Sequence, residues 1–190
     1  MTTTADRATI RETDPGLRLD RLARTWTAPP GLLGWLSQVN HRQVGMRFIV
    51  TAFVFFVLAG LLALLMRIQL AWPEQRVLDA ELYNQIFTMH GTTMMFLFAV
   101  PVMEGLGIYL VPLMLVPLMI GTRDMAFPRL NAFGYYVYAI AGLVLYLSLL
   151  LRTAPDAGWF SYVPLAGEEF STGLGLDVWT TMITSSSCRR

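Results

Sequence analysis

Three long stretches of this chain contain no charged residue, and polar or charged stretches separate them. They are Phe48 to Met66, Ile86 to Met103 and Leu130 to Leu151, with 19, 18 and 22 residues. A helix needs about 20 residues, at ~1.5 Å each, to cross a hydrocarbon core of ~30 Å. The pattern therefore predicts three membrane-spanning helices, over about residues 47–69, 86–112 and 130–151.

The two ends of the chain have a different pattern. Residues 1–40 predict a cytoplasmic tail followed by an interfacial segment, because Trp26 and Trp35 lie among leucines and prolines there. A fourth span starts at about residue 178, but the polar residues 185–190 end it after about two turns, too few to cross. We therefore expect an all-α integral membrane helical bundle fragment, with three spans and the stub of a fourth within 41–184. Residues 185–190 are interpreted as an aberrant or truncated C-terminus.

A five-residue sequence is repeated in tandem after the second span. Leu110 to Met114 and Leu115 to Met119 both read Leu-Val-Pro-Leu-Met. One copy turns an ideal helix by about 140° net, so a continuous helix would rotate everything that follows. Proline disfavours a helix interior, and we expect the additional five residues to lie in a kinked extension or loop before Gly121.

Composition agrees with a membrane protein and excludes several classes. Hydrophobic residues make up 55% of the chain and charged residues 14%, against about 25% charged in an ordinary soluble domain. The net charge is +1, and no basic run is interleaved with aromatic residues, so nothing indicates nucleic-acid binding. The one cysteine, Cys188, allows neither a disulfide framework nor a cysteine metal site.

The arginines predict the orientation in the membrane. Two arginines and three acids follow the first span, between residues 67 and 85, whereas seven arginines precede it: Arg7, Arg11, Arg18, Arg21, Arg24, Arg42 and Arg47. Positive residues favour the cytoplasmic side. The N-terminus and the loop with Asp124 are therefore predicted to be cytoplasmic, and the loop with Trp159 to be outside.

His90 and Glu104 are the ionisable residues predicted at membrane depth, where such groups are costly and often functional. A neutral imidazole binds iron or copper, and Gly91 beside it allows a macrocycle or another helix to come close. A hydrogen bond between helices is the alternative. Glu104 follows by 14 residues, about 40° from the same helix face, and either relays protons or is an interfacial acid.

Two charged sites lie at predicted span ends. From the residues alone, Arg67 is interpreted as an anchor whose cation reaches the headgroups. Asp124, between Arg123 and Arg129, forms either a surface ion pair or the mouth of a proton path.

Several longer motifs resemble a known family over about residues 25–184. The chain is similar to subunit I of the haem–copper terminal oxidases, and most of all to bacterial cytochrome c oxidase. The motifs are Asn40-His41-Arg42, Tyr83-Asn84-Gln85-Ile86-Phe87-Thr88-Met89-His90-Gly91, Arg123-Asp124-Met125-Ala126-Phe127-Pro128-Arg129-Leu130-Asn131, Asp156-Ala157-Gly158-Trp159-Phe160 and Tyr162-Val163-Pro164-Leu165.

The resemblance implies roles for single residues. His90 corresponds to one of two axial ligands of the low-spin haem a, and Arg67 to an arginine that hydrogen-bonds a haem substituent, in place of the anchor interpretation. Trp159 and Tyr162 lie in the loop near the haem propionates in this family.

A proton-uptake route is also implied, with departures. Asp124 corresponds to the acid at its mouth and Asn131 to an asparagine further along it. Phe48 and Ile108 replace a tyrosine and an asparagine of many members, which puts transport in doubt. Gln69 and Trp72 replace metal-binding residues of some relatives, and we therefore predict no calcium or sodium site there.

The resemblance implies the activity of a complete subunit. Cytochrome c would donate electrons through the low-spin haem to a high-spin haem and copper, where dioxygen becomes water and protons are pumped. This chain has only His41 and His90, so it lacks copper ligands and is predicted to be inactive alone. The implied partners are membrane lipid, the remaining helices of subunit I and subunits II and III, in the bacterial inner (plasma) membrane. The alternatives are a quinol oxidase subunit I and a non-functional membrane remnant.

Overall fold

A computed structural model describes residues 19, 31–74, 77–114, 121, 127–167, 169–171 and 173–187, with the backbone alone for 108–114, 186 and 187. The described residues form helices and connecting segments, without a strand. Two compact units divide the chain, Met1–Gln38 and Val39–Arg190. The first contains α1 (Gly31–Ser37), and the second contains α2 (His41–Gln69), α3 (Ala80–Thr92), a π-helical segment (Thr93–Ala99), α4 (Val100–Met114), α5 (Pro128–Leu150) and α6 (Gly175–Ser187).

The predicted all-α membrane fold is confirmed, because three helices are long and apolar enough to cross a bilayer. They cover His41–Gln69, Ala80–Gly107 and Pro128–Leu150. The first helix starts before the predicted residue 47 because the side chain of Asn40 accepts a hydrogen bond from the Arg42 N–H at 3.0 Å and caps the first turn. The helix near the C-terminus begins at Gly175, three residues before the predicted start.

Glycines allow the spanning helices to pack closely. A Cβ atom added to Gly105 of α4 would lie 2.9 Å from Ile49 Cγ1 and 3.1 Å from the Gly45 carbonyl oxygen of α2. A Cβ atom added to Gly142 of α5 would lie 2.5 Å from Phe55 Cζ. Small residues at such contacts are what permits close helix pairs in a membrane.

The second span contains a wide turn whose cause is Pro101. Between Thr93 and Ala99 the helix follows the π pattern, and the Val100 N–H bonds the Met95 carbonyl, five residues earlier. Pro101 has no N–H to give to the carbonyl of Leu97, its α-helical acceptor. The hydroxyl of Tyr138, on α5, donates to that carbonyl at 2.7 Å instead. A polar group that proline leaves unbonded at membrane depth is thus satisfied by a neighbouring helix.

One sequence interpretation is wrong. Arg42 and Arg47, counted among the arginines that precede the first span, lie within α2, and Arg47 is fully buried. The orientation prediction therefore depends on the five arginines before the helix and on Arg42 in its first turn. Helix α4 continues through the first copy of the tandem repeat to Met114, whereas the second copy, Leu115 to Met119, lies outside the described residues.

Candidate functional site

His90 lies half-buried on α3, with its ring held by the first span. Its Nδ1 atom is 3.0 Å from the carbonyl oxygen of Ala59 on α2. A carbonyl oxygen only accepts, so Nδ1 carries the proton, and in the neutral ring Nε2 keeps its lone pair. Within the described part of the chain, no other hydrogen bond engages the imidazole. The ring is therefore oriented, with one nitrogen available to a metal.

Two glycines near His90 differ in their surroundings. A Cβ atom added to Gly60, next to Ala59 on α2, would meet nothing within 4 Å, which leaves open space beside the imidazole's acceptor. A Cβ atom added to Gly91 would lie 2.9 Å from Cβ and Cδ1 of Trp159. The neighbour that comes close at Gly91 is thus the indole ring of Trp159, in the loop between α5 and α6.

The loop between α5 and α6, predicted to be the outer loop, is attached to α3 through Gly158 and Trp159. The Gly158 N–H donates to Thr88 Oγ1 at 2.9 Å, and the Trp159 ring packs on Gly91 one turn later. Tyr162 stacks on Phe160, with ring centroids 4.9 Å apart, and is 66% exposed. The structure therefore brings Trp159 next to the residue that follows His90, and leaves Tyr162 on the surface.

Two further threonines fix the same helix from other directions. Thr92 Oγ1 accepts from Trp179 Nε1 of α6 at 3.2 Å, and Thr93 Oγ1 accepts from the Tyr146 hydroxyl of α5 at 3.2 Å. Both threonines are fully buried, as is Thr88. Sequence reasoning missed this set, although hydroxyls at three helix-spaced positions in an apolar span were a signal.

Arg67 lies apart from His90. It is exposed in the last turn of α2, eight residues after Ala59, which is about 12 Å along the helix axis at ~1.5 Å per residue. The next loop is tied by Gln69, whose Oε1 accepts from the N–H groups of Val77 and Leu78 at 2.9 and 2.8 Å. The amide oxygen of Gln69 thus binds two backbone N–H groups of the loop between α2 and α3.

The candidate proton-path residues are only partly described. Asp124 lies outside the described residues, as does the charged loop around it. Asn131 is half-buried in the first turn of α5, and Glu104 is half-buried on α4. The π-helical turns lie between Glu104 and His90, so the ideal spacing that put both on one face does not apply. The side chain of Ile108 lies outside the described set.

A buried polar cluster near Phe48 was not predicted. The Arg47 guanidinium lies 5.9 Å from the Tyr135 ring centroid, and its Nη1 donates to the Tyr136 hydroxyl at 3.4 Å. The hydroxyls of Tyr135 and Thr51 are 3.0 Å apart. Phe48 lies against the Tyr135 ring, with centroids 5.3 Å apart. Hydroxyls from α5 and α2 thus surround the phenylalanine that replaces the tyrosine of many members.

The donor set fits one axial position of a haem. The oriented His90 ring supplies one imidazole nitrogen that no hydrogen bond engages among the described residues. Across the segments that the structure describes, no three His, Cys, Asp or Glu side chains come together. This arrangement suits a group that brings its own four nitrogen ligands better than a bare ion, which needs several protein donors.

Comparison with known proteins identifies the family. Residues 43–188 match the family described as Cytochrome C and Quinol oxidase polypeptide I. Cytochrome c oxidase subunit 1 of Alkalihalophilus pseudofirmus is 42% identical over 76% of this chain and 22% of its own length. Cytochrome c oxidase subunit 1 of Corynebacterium glutamicum is 41% identical over 82% of this chain and 26% of its own length.

A heme-copper oxidase subunit I+III of Aeropyrum pernix is 42% identical over 76% of this chain and 17% of its own length. The chain thus spans about a quarter, or less, of the length of these relatives. The match nevertheless covers most of this chain, including His90 and all three spanning helices. The chain belongs to the family of haem–copper oxidase subunit I.

Proposed function

We propose that this chain is the N-terminal part of an oxidase subunit I, and that His90 binds the iron of a low-spin haem a through Nε2. The observation that carries the proposal is the 3.0 Å bond from His90 Nδ1 to the Ala59 carbonyl. Metal-binding histidines commonly donate their other N–H to a carbonyl, which fixes the tautomer and makes the ligand more basic.

The surrounding residues hold the ligand in position. The buried hydroxyls of Thr88, Thr92 and Thr93 attach α3 and the π-helical segment to the outer loop, α6 and α5. Arg67, about 12 Å further along α2, is within reach of a substituent on a macrocycle of roughly that size. Trp159 and Tyr162 are proposed to face the propionate side.

A haem held there would supply one-electron redox chemistry. In a complete subunit we propose that the donor is cytochrome c, and that the acceptor is a high-spin haem and copper that reduce dioxygen to water. Subunits II and III and the remaining helices of subunit I would complete the complex, in a bacterial inner membrane with the N-terminus in the cytoplasm. The family description also covers quinol oxidases, and quinol is therefore the alternative donor.

Asp124, Asn131 and Glu104 are proposed to conduct protons from the cytoplasmic side. Asn131 supports this role because it lies in the first turn of α5, seven residues after Asp124. Phe48 lacks the hydroxyl of the tyrosine that it replaces, but the hydroxyls of Tyr135 and Thr51 lie close to it. Proton conduction would then depend on water at this cluster.

Haem binding by the chain itself tests the ligand assignment. The full chain, in detergent, is titrated with haem, and the absorption and electron paramagnetic resonance signals of histidine-ligated iron are recorded. His90→Ala should abolish the saturable histidine-ligated component, whereas His41→Ala, the matched control at the other histidine, should retain it. Equal binding by the His90→Ala variant would contradict the assignment, and no saturable binding by any variant would favour a non-functional remnant.

A further inference from the structure

A polar cleft lies where the first turns of α3 meet the segment between α5 and α6. Its described lining includes Glu81 and Gln85 of α3, Arg152 and Asp156 of that segment, and Gly175 at the start of α6. The cleft holds about 120 Å³, whereas pockets for small organic molecules hold about 300–1,000 Å³. An ion with a few waters therefore fits the cleft better than an organic ligand does.

Gln85 brings a buried amide to this cleft. It is 5% exposed and lines the cleft, and within the part of the chain that the structure describes no hydrogen bond engages its side chain. Most buried polar groups in native proteins are bonded to protein, water or an ion, so an amide without a partner indicates a ligand. Glu81 lies four residues earlier, and positions i and i+4 share one face of a helix. Both side chains thus line the cleft from α3, one turn apart.

Asp156 brings a carboxylate from the segment between α5 and α6. Ser171 Oγ lies 3.0 Å from Asp156 Oδ1 and 2.7 Å from the Leu165 carbonyl oxygen. Serine has one hydroxyl proton and donates to one of these acceptors at a time, whereas an ionised carboxylate has about four lone-pair sites. The serine therefore orients the carboxylate without neutralising it, and oxygen lone pairs of Asp156 remain for a ligand.

The charges of the cleft favour a cation. Two carboxylates, Glu81 and Asp156, line it with one guanidinium, Arg152, and among the described residues neither acid forms an ion pair with that arginine. An anion would therefore meet more negative than positive charge. None of the described lining residues is a histidine or a cysteine, so the donors are oxygen atoms, which calcium and magnesium prefer. Charged and neutral oxygens from separate segments suit the flexible geometry of Ca²⁺ better than the near-ideal octahedron of Mg²⁺.

We propose that the cleft binds a calcium ion through oxygen atoms of Glu81, Gln85 and Asp156. The ion would link α3 to the segment that carries Trp159, three residues after Asp156. This site is separate from the loop of Gln69, which does not line the cleft. It does not depend on haem, so it can succeed or fail independently of the function proposed above.

The test is a calcium titration of the full chain in detergent, without haem, after treatment with a chelator and at physiological ionic strength. Amide hydrogen exchange over residues 153–158 reports binding, and exchange over α2 in the same spectra shows that each variant is folded. Exchange at 153–158 should slow saturably, with a Kd of about 0.1–1 mM, the range of extracellular calcium modules.

The variants separate charge from structure because they act in opposite directions. Glu81→Gln and Asp156→Asn should each weaken calcium binding by about tenfold or more, since each removes a unit charge from the divalent ion. Arg152→Gln should tighten it by about threefold or more, because it removes a like charge. Glu74→Gln is the matched control, an exposed acid that does not line the cleft, and it should leave the affinity unchanged.

Four results would overturn the proposal. Two are the lack of a saturable calcium effect and an equal affinity in Glu81→Gln and Glu74→Gln. A third is weaker binding in Arg152→Gln, which would mean that the charge of the cleft does not hold the ion. The fourth is an equal Kd for magnesium, which would contradict the selection of calcium by this donor set.

Discussion

Tyr138→Phe is a direct test of the reason for the wide turn in the second span. The substitution keeps a ring that stacks on Phe48, with centroids 5.5 Å apart, and removes the hydroxyl that donates to the Leu97 carbonyl at 2.7 Å. Tyr138 is 1% exposed, so water cannot replace the donor easily. Because Pro101 has no N–H, the carbonyl also has no α-helical donor in its own helix.

The magnitude follows from removing the donor of a carbonyl that Pro101 leaves without its α-helical partner. Hydrogen bonds between membrane helices contribute about 0.6 kcal/mol on average and about 1.7 kcal/mol at most. An unsatisfied buried carbonyl costs about 1–3 kcal/mol. We therefore expect Tyr138→Phe to lower the free energy of unfolding by about 1–2 kcal/mol, above the average for hydrogen bonds between membrane helices. Tyr135→Phe is the matched control, since its partner Thr51 can donate to its own helix instead, at a cost of about 0.5 kcal/mol.

The assay is reversible unfolding in mixed micelles, run as a double-mutant cycle with Pro101→Ala. Alanine restores an N–H that can donate to Leu97, so Tyr138→Phe should cost less than about 0.5 kcal/mol in that background. Equal losses with Pro101 in place and in the Pro101→Ala background would refute the reasoning, because the hydroxyl would then not be replacing the proline's missing donor.

Three other outcomes follow from the site and the topology. Gly91→Ala brings a Cβ atom to 2.9 Å from Trp159, so it should lower the free energy of unfolding by about 1–3 kcal/mol and expose the indole to iodide. In the control Gly60→Ala the added Cβ meets nothing within 4 Å, and the free energy of unfolding should stay the same or rise by about 0.5–1 kcal/mol. Equal effects of the two substitutions would contradict the contact between Gly91 and Trp159. The chain alone should consume oxygen with reduced cytochrome c no faster than the detergent blank, and faster uptake would disprove its predicted inactivity. On intact cells, an impermeant thiol reagent should label a single cysteine at Ser161 and spare one at Thr122, and the reverse would overturn the orientation.

Hydrophobic pattern alone located the spanning helices but not their ends. The uncharged stretch from Phe48 predicted the first span, yet α2 begins at His41 because Asn40 caps it and polar residues continue the helix. A long apolar stretch is stable in only one environment, the membrane, and a membrane span can therefore be predicted from the sequence. The end of a helix depends on single side chains, and its position is much harder to predict.

Counting arginines along the sequence misplaced Arg47 because such a count carries no information on which side chains are buried between helices. The guanidinium is buried between α2 and α5, where Tyr135 and Tyr136 cover it. Those tyrosines lie almost 90 residues away in sequence, and no local pattern links them to Arg47. The same limit applies to Thr92, whose donor Trp179 is on α6. Local sequence shows that a polar group needs a partner, but only the packing of helices shows which one.

The wide turn also changes which faces of the second span carry His90 and Glu104. A straight helix would place Glu104 about 40° from His90, whereas one additional residue taken up by the π-helical turns moves it about 100° further away. Gly105, next to Glu104, packs on the Gly45 carbonyl near the start of α2, while His90 bonds Ala59, about four turns further along. His90 and the residue that follows Glu104 thus lie against different parts of α2, and Glu104 belongs to the half of the span that follows Pro101. An acid so placed can affect proton entry without touching the proposed ligand. Glu104→Gln should therefore leave haem binding at the proposed His90 site unchanged.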